Sequence, residues 1–169
     1  MGAGKYLAII AAILAILGTF LFALIGVTPV AVSGLGFFQN ISDNFQYAPD
    51  MAAFWGLDDW WGYLTLIILL IFSISFIFLL AGYKSRGVAF FGSIFPLIVG
   101  IIFVIAIASD IQIMDQIALT MGTMMGEEQL ADVIPVIVKL DEYGLGIFLI
   151  IGAGVLGIIS AALPREDIY

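Results

Sequence analysis

The chain has 169 residues, 63% hydrophobic and only 11% charged, with a net charge of −8 at pH 7. Soluble domains carry about 25% charged residues, so this composition reads as an integral membrane protein, consistent with a mean hydropathy of +1.22. With no cysteine or histidine, disulfides, thiolate nucleophiles and the commonest metal ligands are excluded, and five cations cannot neutralise a nucleic-acid backbone.

Four apolar runs, near 6–27, 62–83, 88–108 and 143–163, meet the rule that about 20 helical residues cross a hydrocarbon core of about 30 Å. The expectation is one all-α domain over 1–169, a four-helix transmembrane bundle of two hairpins. Two loops, 28–61 and 109–142, should form a small, partly helical extracellular cap. The first run follows MGAGK and is longer than the h-region of about 7–15 residues in a signal peptide, so it is read as a retained helix. Along it Ala11, Ala15, Thr19 and Ala23 step by four, a small-residue ladder that lets helix backbones approach closely.

In the first loop, Phe37, Phe38, Ile41 and Phe45 recur at helical spacing and must be buried against something. Asn40-Ile41-Ser42 fits the N-glycosylation acceptor. The loop closes on FWGLDDWWGY, where Asp58 and Asp59 precede the second span with Trp60 and Trp61 beside them. An aspartate there can accept first-turn N–H groups and complement the positive end of the helix dipole, while tryptophans favour the headgroup level. Ser73 and Ser75 inside the second span are expected to bond helix carbonyls or a neighbouring helix.

After the tight YKSRG turn, the third span carries a ladder of Gly92, Pro96 and Gly100, with Pro96 expected to kink it. In the second loop Ile111, Met114, Ile117, Ala118, Met121 and Met125 form an apolar stripe that reads as an outward extension of the third helix. Met114, Met121, Met124 and Met125 are soft thioethers suited to Cu(I), but methionine is also the usual filler of apolar contacts, and no metal site is assigned. Leu140-Asp141-Glu142-Tyr143-Gly144 then echoes Leu57-Asp58-Asp59-Trp60-Trp61-Gly62, so the same kind of helix start is expected twice. Both starts together would set Asp58, Asp59, Asp141 and Glu142, with Trp60, Trp61 and Tyr143, at one depth as an acidic, aromatic collar. The fourth span has its own ladder of Ala153, Gly157 and Ala161.

Charge sets the orientation. Lys5, Lys84, Arg86 and Arg165 fall with the termini and the YKSRG turn, whereas eleven of thirteen acids fall in the two long loops with Lys139 alone. By the positive-inside rule, both termini are cytoplasmic and the loops are outside, in a multi-pass protein of the plasma membrane. No Asp, Glu, Lys or Arg lies within any span, which weighs against a pump or proton-coupled carrier.

Gly56-Leu57 with nearby Trp60, together with four spans and two long outer loops, resembles the Gly-Leu-Trp element and topology of claudin-type tetraspan proteins. The topology is equally similar to four-helix subunits of large-pore channels. The resemblance implies lateral or stacked self-association through the outer loops. The expected function is therefore non-enzymatic and cofactor-free: self-association, or service as a small structural or accessory subunit, with the lipid bilayer and other subunits as partners. The alternative is an oligomeric pore whose acidic outer mouth concentrates cations.

Overall fold

The computed structural model describes residues 2–27, 30–128 and 133–164. Asp132, Arg165, Glu166 and Asp167, all included in the charge count, lie outside them. The described chain is mostly helical, and four stretches are long and apolar enough to cross a membrane: Ala3–Leu21, Asp59–Ala81, Arg86–Ala108 and Leu145–Ala162.

The first comprises α1 (Ala3–Ile16) and a π-helical turn, Leu17–Leu21, in which the Phe22 N–H reaches back to the Leu17 carbonyl at 2.9 Å. The helix stops there, six residues short of the expected end at Val27. Phe22 is extended, and the backbone beyond it finds partners that replace helical bonds. The Ala23 N–H donates to Val136 O (3.0 Å), the Leu24 N–H to Val32 O (2.9 Å) and the Gly144 N–H to Leu24 O (2.9 Å). Every buried N–H and C=O needs a partner, and here neighbouring segments supply them.

Two short strands follow, β1 (Ile25–Val27) and β2 (Val30–Val32), then α2 (Gly34–Gln39), α3 (Ile41–Phe54) and the second long helix α4 (Asp59–Ala81). A short turn leads into α5 (Arg86–Ala108), with Pro96 buried inside a continuous helix. Next come α6 (Gln112–Met125), β3 (Gly126–Glu128), β4 (Lys139–Leu140), β5 (Tyr143–Gly144) and α7 (Leu145–Ala162). The expected all-α class is thus supplemented by an antiparallel sheet of order β1-β2-β3 and a β4-β5 hairpin. The β-branched residues Ile25, Val27, Val30 and Val32, interrupted by Gly26, favour short extended segments over helix.

The four long helices close a ring in which α1 packs on α7, α7 on α5, α5 on α4 and α4 on α1. The small-residue ladders lie inside it. Ala11, Ala15, Thr19, Gly92, Pro96, Gly100, Ala153 and Gly157 are buried, and Ala161 is half-buried at the end of α7; Ala23 is buried too, but in the extended segment beyond the first helix and so not on its ladder. The third-span ladder serves two neighbours: a Cβ on Gly92 would lie 2.8 Å from Phe78 Cβ on α4, whereas one on Gly100 would meet Ile151 of α7. Between the ladders, Leu69, Phe72, Val99, Phe103, Ile147 and Ile150 fill the core.

The connecting segments fold together at one end of this ring. Strand β2 of the first pairs antiparallel with β3 of the second, with Ala31 opposite Glu127, and α3 packs on both α4 and α6. At the other end the Gly4 N–H donates to Pro164 O, the Ser160 hydroxyl donates to Gly4 O (2.7 Å), and Lys5 lies over the Tyr83 ring at 5.4 Å. Lys5 and the Lys84–Arg86 turn therefore share the end opposite the connecting layer.

Candidate functional site

FWGLDDWWGY is a corner between two helices. Helix α3 ends at Phe54, and Gly56 has φ +84, the left-handed geometry that only glycine adopts without strain. The Gly56 N–H donates to Ala53 O and the Leu57 N–H to Ala52 O, both at 3.0 Å, the paired bonds of a Schellman stop. Leu57 is buried beneath the corner. Asp58 occupies the N-cap position of α4, but its carboxylate makes no bond to the first turn; its backbone carbonyl accepts from the Trp61 N–H at 2.9 Å. The expected capping bond is thus absent, leaving the acids at this helix start to the dipole alone. Trp60 and Trp61 stack with centroids 4.3 Å apart, and Gly62 sits against the backbone of Ala48 and Pro49 of α3.

The echo Leu140-Asp141-Glu142-Tyr143-Gly144 does not repeat this geometry. Leu140 pairs with Tyr143 and Lys139 with Gly144, so Asp141 and Glu142 are the two-residue loop of a hairpin, and α7 begins after it at Leu145. Asp141 takes φ +64, a left-handed conformation that aspartate tolerates better than most residues. The preceding run Val136-Ile137-Val138 favours extended chain, whereas the segment before Leu57 is already helical, so one short pattern follows two local rules. Asp58, Asp59, Asp141 and Glu142 are all exposed, but the first two stand at the start of α4 and the last two in the β4–β5 loop. Among the described residues no three carboxylates gather closely enough to hold a metal ion.

The expected stripe Phe37, Phe38, Ile41 and Phe45 is broken at Asn40, which ends α2 and begins α3. Phe37 is fully buried and Ile41 packs on the core, while Phe38 and Phe45 face outward. The Asn40 amide donates to Gly126 O at 2.7 Å, so the nitrogen a glycan would occupy joins the two connecting segments instead. Asn44 is the residue that sequence reasoning missed. It is fully buried, its amide nitrogen donates to Met124 O (2.9 Å) and Phe37 O (3.4 Å), and its amide oxygen has no partner among the described residues. Its signal was the four-residue step Asn44, Ala48, Ala52, which is the buried stripe of α3.

Helix α6 is separate from α5, not its extension: Ser109 is extended, its hydroxyl bonding back to Ile105 O at 2.7 Å. Ile117, Ala118, Met121, Met124 and Met125 are buried in the core, so these methionines act as packing groups, while Met114 is half-buried and Ile111 exposed. Ser73 and Ser75 are buried in α4 with no partner for either hydroxyl among the described residues, against the expectation of a bond to a helix carbonyl. In α5, Ser93 does bond a helix carbonyl, donating to Ala89 O.

Compared with protein-family models, with curated proteins and with solved structures, the chain matches none.

Proposed function

We propose that this is a tetraspan protein of the plasma membrane that works by assembling, either with copies of itself or as a small subunit of a larger membrane complex. In this reading the termini and the α4–α5 turn are cytoplasmic and the connecting layer is outside. The observation that carries it is a contrast between a filled bundle core and aromatics left exposed on α3. Among the described residues the bundle core is filled by large apolar side chains, and the small-residue ladders are already spent on internal packing. By contrast α3 buries Asn44, Ala48 and Ala52, with Ile41 and Met51 packed on the core, and leaves Phe45 (57% exposed) along one edge and Tyr47 and Phe54 (76% exposed) along the other, with Asp43, Gln46 and Asp50 exposed between them. Exposed aromatics beside acids are the composition of a contact surface or an interfacial belt. Trp60 and Tyr63, exposed on the first turns of α4, fit the belt.

The assembly reading is tested by co-expressing two differently tagged copies and isolating one in mild detergent. Co-isolation of the second copy, or of a stoichiometric partner, is expected, and Phe45→Asp with Tyr47→Asp should weaken it. A lone monomer would contradict the reading. The second reading, an oligomeric cation pore, draws on the exposure of Asp58, Asp59, Asp141 and Glu142, which a ring of subunits would gather into a charged collar. Cation-selective conductance in liposomes that falls when Asp58, Asp59 and Asp141 are neutralised would establish it, and silent bilayers would eliminate it.

A further inference from the structure

One cavity, of about 650 Å³, lies where the last turns of α5 meet α6 and the small sheet. Its body is apolar, with Phe103 and Ile107 from the end of α5 and Leu119 from α6. Three polar groups interrupt it: the Trp55 indole, the Thr123 hydroxyl and the Asp115 carboxylate. Two of these are committed to each other. The Trp55 Nε1–H donates to Thr123 Oγ1 at 2.9 Å, and the Thr123 hydroxyl donates to Leu119 O at 2.9 Å, which orients the indole along the cavity wall. Asp115, in the first turn of α6, lines the same cavity half-buried; Lys5, Lys84 and Arg86 are at the opposite end of the bundle, and Lys139, at this end, is exposed on β4 and is not among the lining residues.

A volume between about 300 and 1,000 Å³, lined mostly by apolar groups with a few polar ones, is the character of a small-molecule site. The polar groups here select the charge of the occupant. A carboxylate and an indole lining one apolar cavity favour an ammonium group, through charge pairing and the attraction of a cation to the aromatic face. Its position at the end of an apolar helix puts a polar head at the interface and an apolar body against Phe103 and Ile107.

We propose that this cavity binds an amphiphile with an ammonium head, seated between Asp115 and Trp55, and an apolar tail along α5. This goes beyond the assembly reading and does not depend on it. Such a ligand has two sources, an amine-headed lipid of the bilayer or a cationic amphiphile arriving from water, and the same contacts would hold either.

The test uses full-length protein in nanodiscs of zwitterionic lipid, with Trp60→Phe and Trp61→Phe so that Trp55 alone reports. Dodecyltrimethylammonium, dodecyl sulfate and dodecyl maltoside are each added from water below micelle-forming concentration. In a second arm, hexadecylamine is mixed into the nanodisc lipid. Saturable change in Trp55 emission with an ammonium amphiphile in either arm is expected, and the arm that saturates names the source. Dodecyl sulfate should bind about tenfold or more weaker, about 1.4 kcal/mol. Asp115→Asn should remove most of that preference while leaving maltoside unchanged. Gly122→Leu should abolish saturable binding by every probe, since Gly122 lines the cavity and a Cβ there meets only Val32 Cγ2 at 4.0 Å, leaving the larger side chain room to fill the space. Should either variant fail to fold, the ammonium-over-sulfate preference of the Asp115 protein still decides the matter. Equal binding of the two charges, purely linear partitioning in both arms, or a preference untouched by Asp115→Asn would overturn the proposal.

Discussion

Replacing Gly154 by alanine should loosen the α5–α7 contact, while the same change two residues earlier, at Gly152, should tighten the fold. A Cβ on Gly154 would lie 2.8 Å from Leu97 Cβ, 2.9 Å from Ser93 O and 3.1 Å from Leu97 N. Two of those three atoms are backbone, so no side-chain rotation relieves the clash and the helices must separate by a few tenths of an ångström. Overpacking of this kind costs about 1–3 kcal/mol, and immovable neighbours favour the upper part of that range. Alanine recovers about 0.8–1.0 kcal/mol of helix propensity, for a net loss of about 1–2 kcal/mol. At Gly152 the nearest atom is Leu14 Cδ1 at 3.7 Å, an ordinary contact, so the propensity gain of about 1 kcal/mol should stand alone. The two variants, on one helix with identical chemistry, should therefore differ by about 2–3 kcal/mol. Reversible unfolding by steric trapping in bicelles measures the difference. Equal stabilities, or a more stable Gly154→Ala protein, would refute the packing described for α5 and α7.

Ser33→Ala should cost about 1 kcal/mol, because its side chain accepts from the Leu35 and Gly36 N–H groups, whereas Asp58→Ala should cost about 0.5 kcal/mol or less, because no such bond exists there; thermal unfolding of the pair checks the contrast. Asn44→Leu should leave the buried Met124 carbonyl unpaired and cost about 1–3 kcal/mol, seen as faster amide exchange over α3 and α6 with the long helices still protected. At Asp141, glycine should be tolerated and valine should cost about 1–2 kcal/mol, since φ is +64 there; equal behaviour of the two would contradict the hairpin turn. A cysteine at Asp43 should react with a membrane-impermeant thiol reagent on intact cells and one at Ser85 should not, both positions being exposed; the reverse pattern would invert the proposed orientation.

The second, third and fourth long helices were legible in the sequence to within about three residues at each end, because an apolar run of about 20 residues has only the helix available in hydrocarbon. The first was legible in kind but not in length. Its last residues, Phe22 to Val27, look as apolar as the rest, and only tertiary partners at Val32, Val136 and Gly144 draw them out of the helix. The corner FWGLDDWWGY held more than its acids showed: Trp-Gly-Leu, with glycine just past a helix, was the stop signal for α3. LDEYG misled because four residue types in common outweighed the β-branched run before it. The buried role of Asn44 was hidden by chemistry, since a polar residue amid aromatics reads as surface until its carbonyl partners on α2 and α6 are known.

The central claim is that this protein acts as an assembled membrane subunit. Its most direct test is the mass of the particle when the protein is cut out of its own membrane into polymer nanodiscs and weighed by native mass spectrometry. A discrete multiple of 18.2 kDa, or one copy with a stoichiometric partner, is the predicted result. A single copy carrying only lipid, at every expression level, would contradict it.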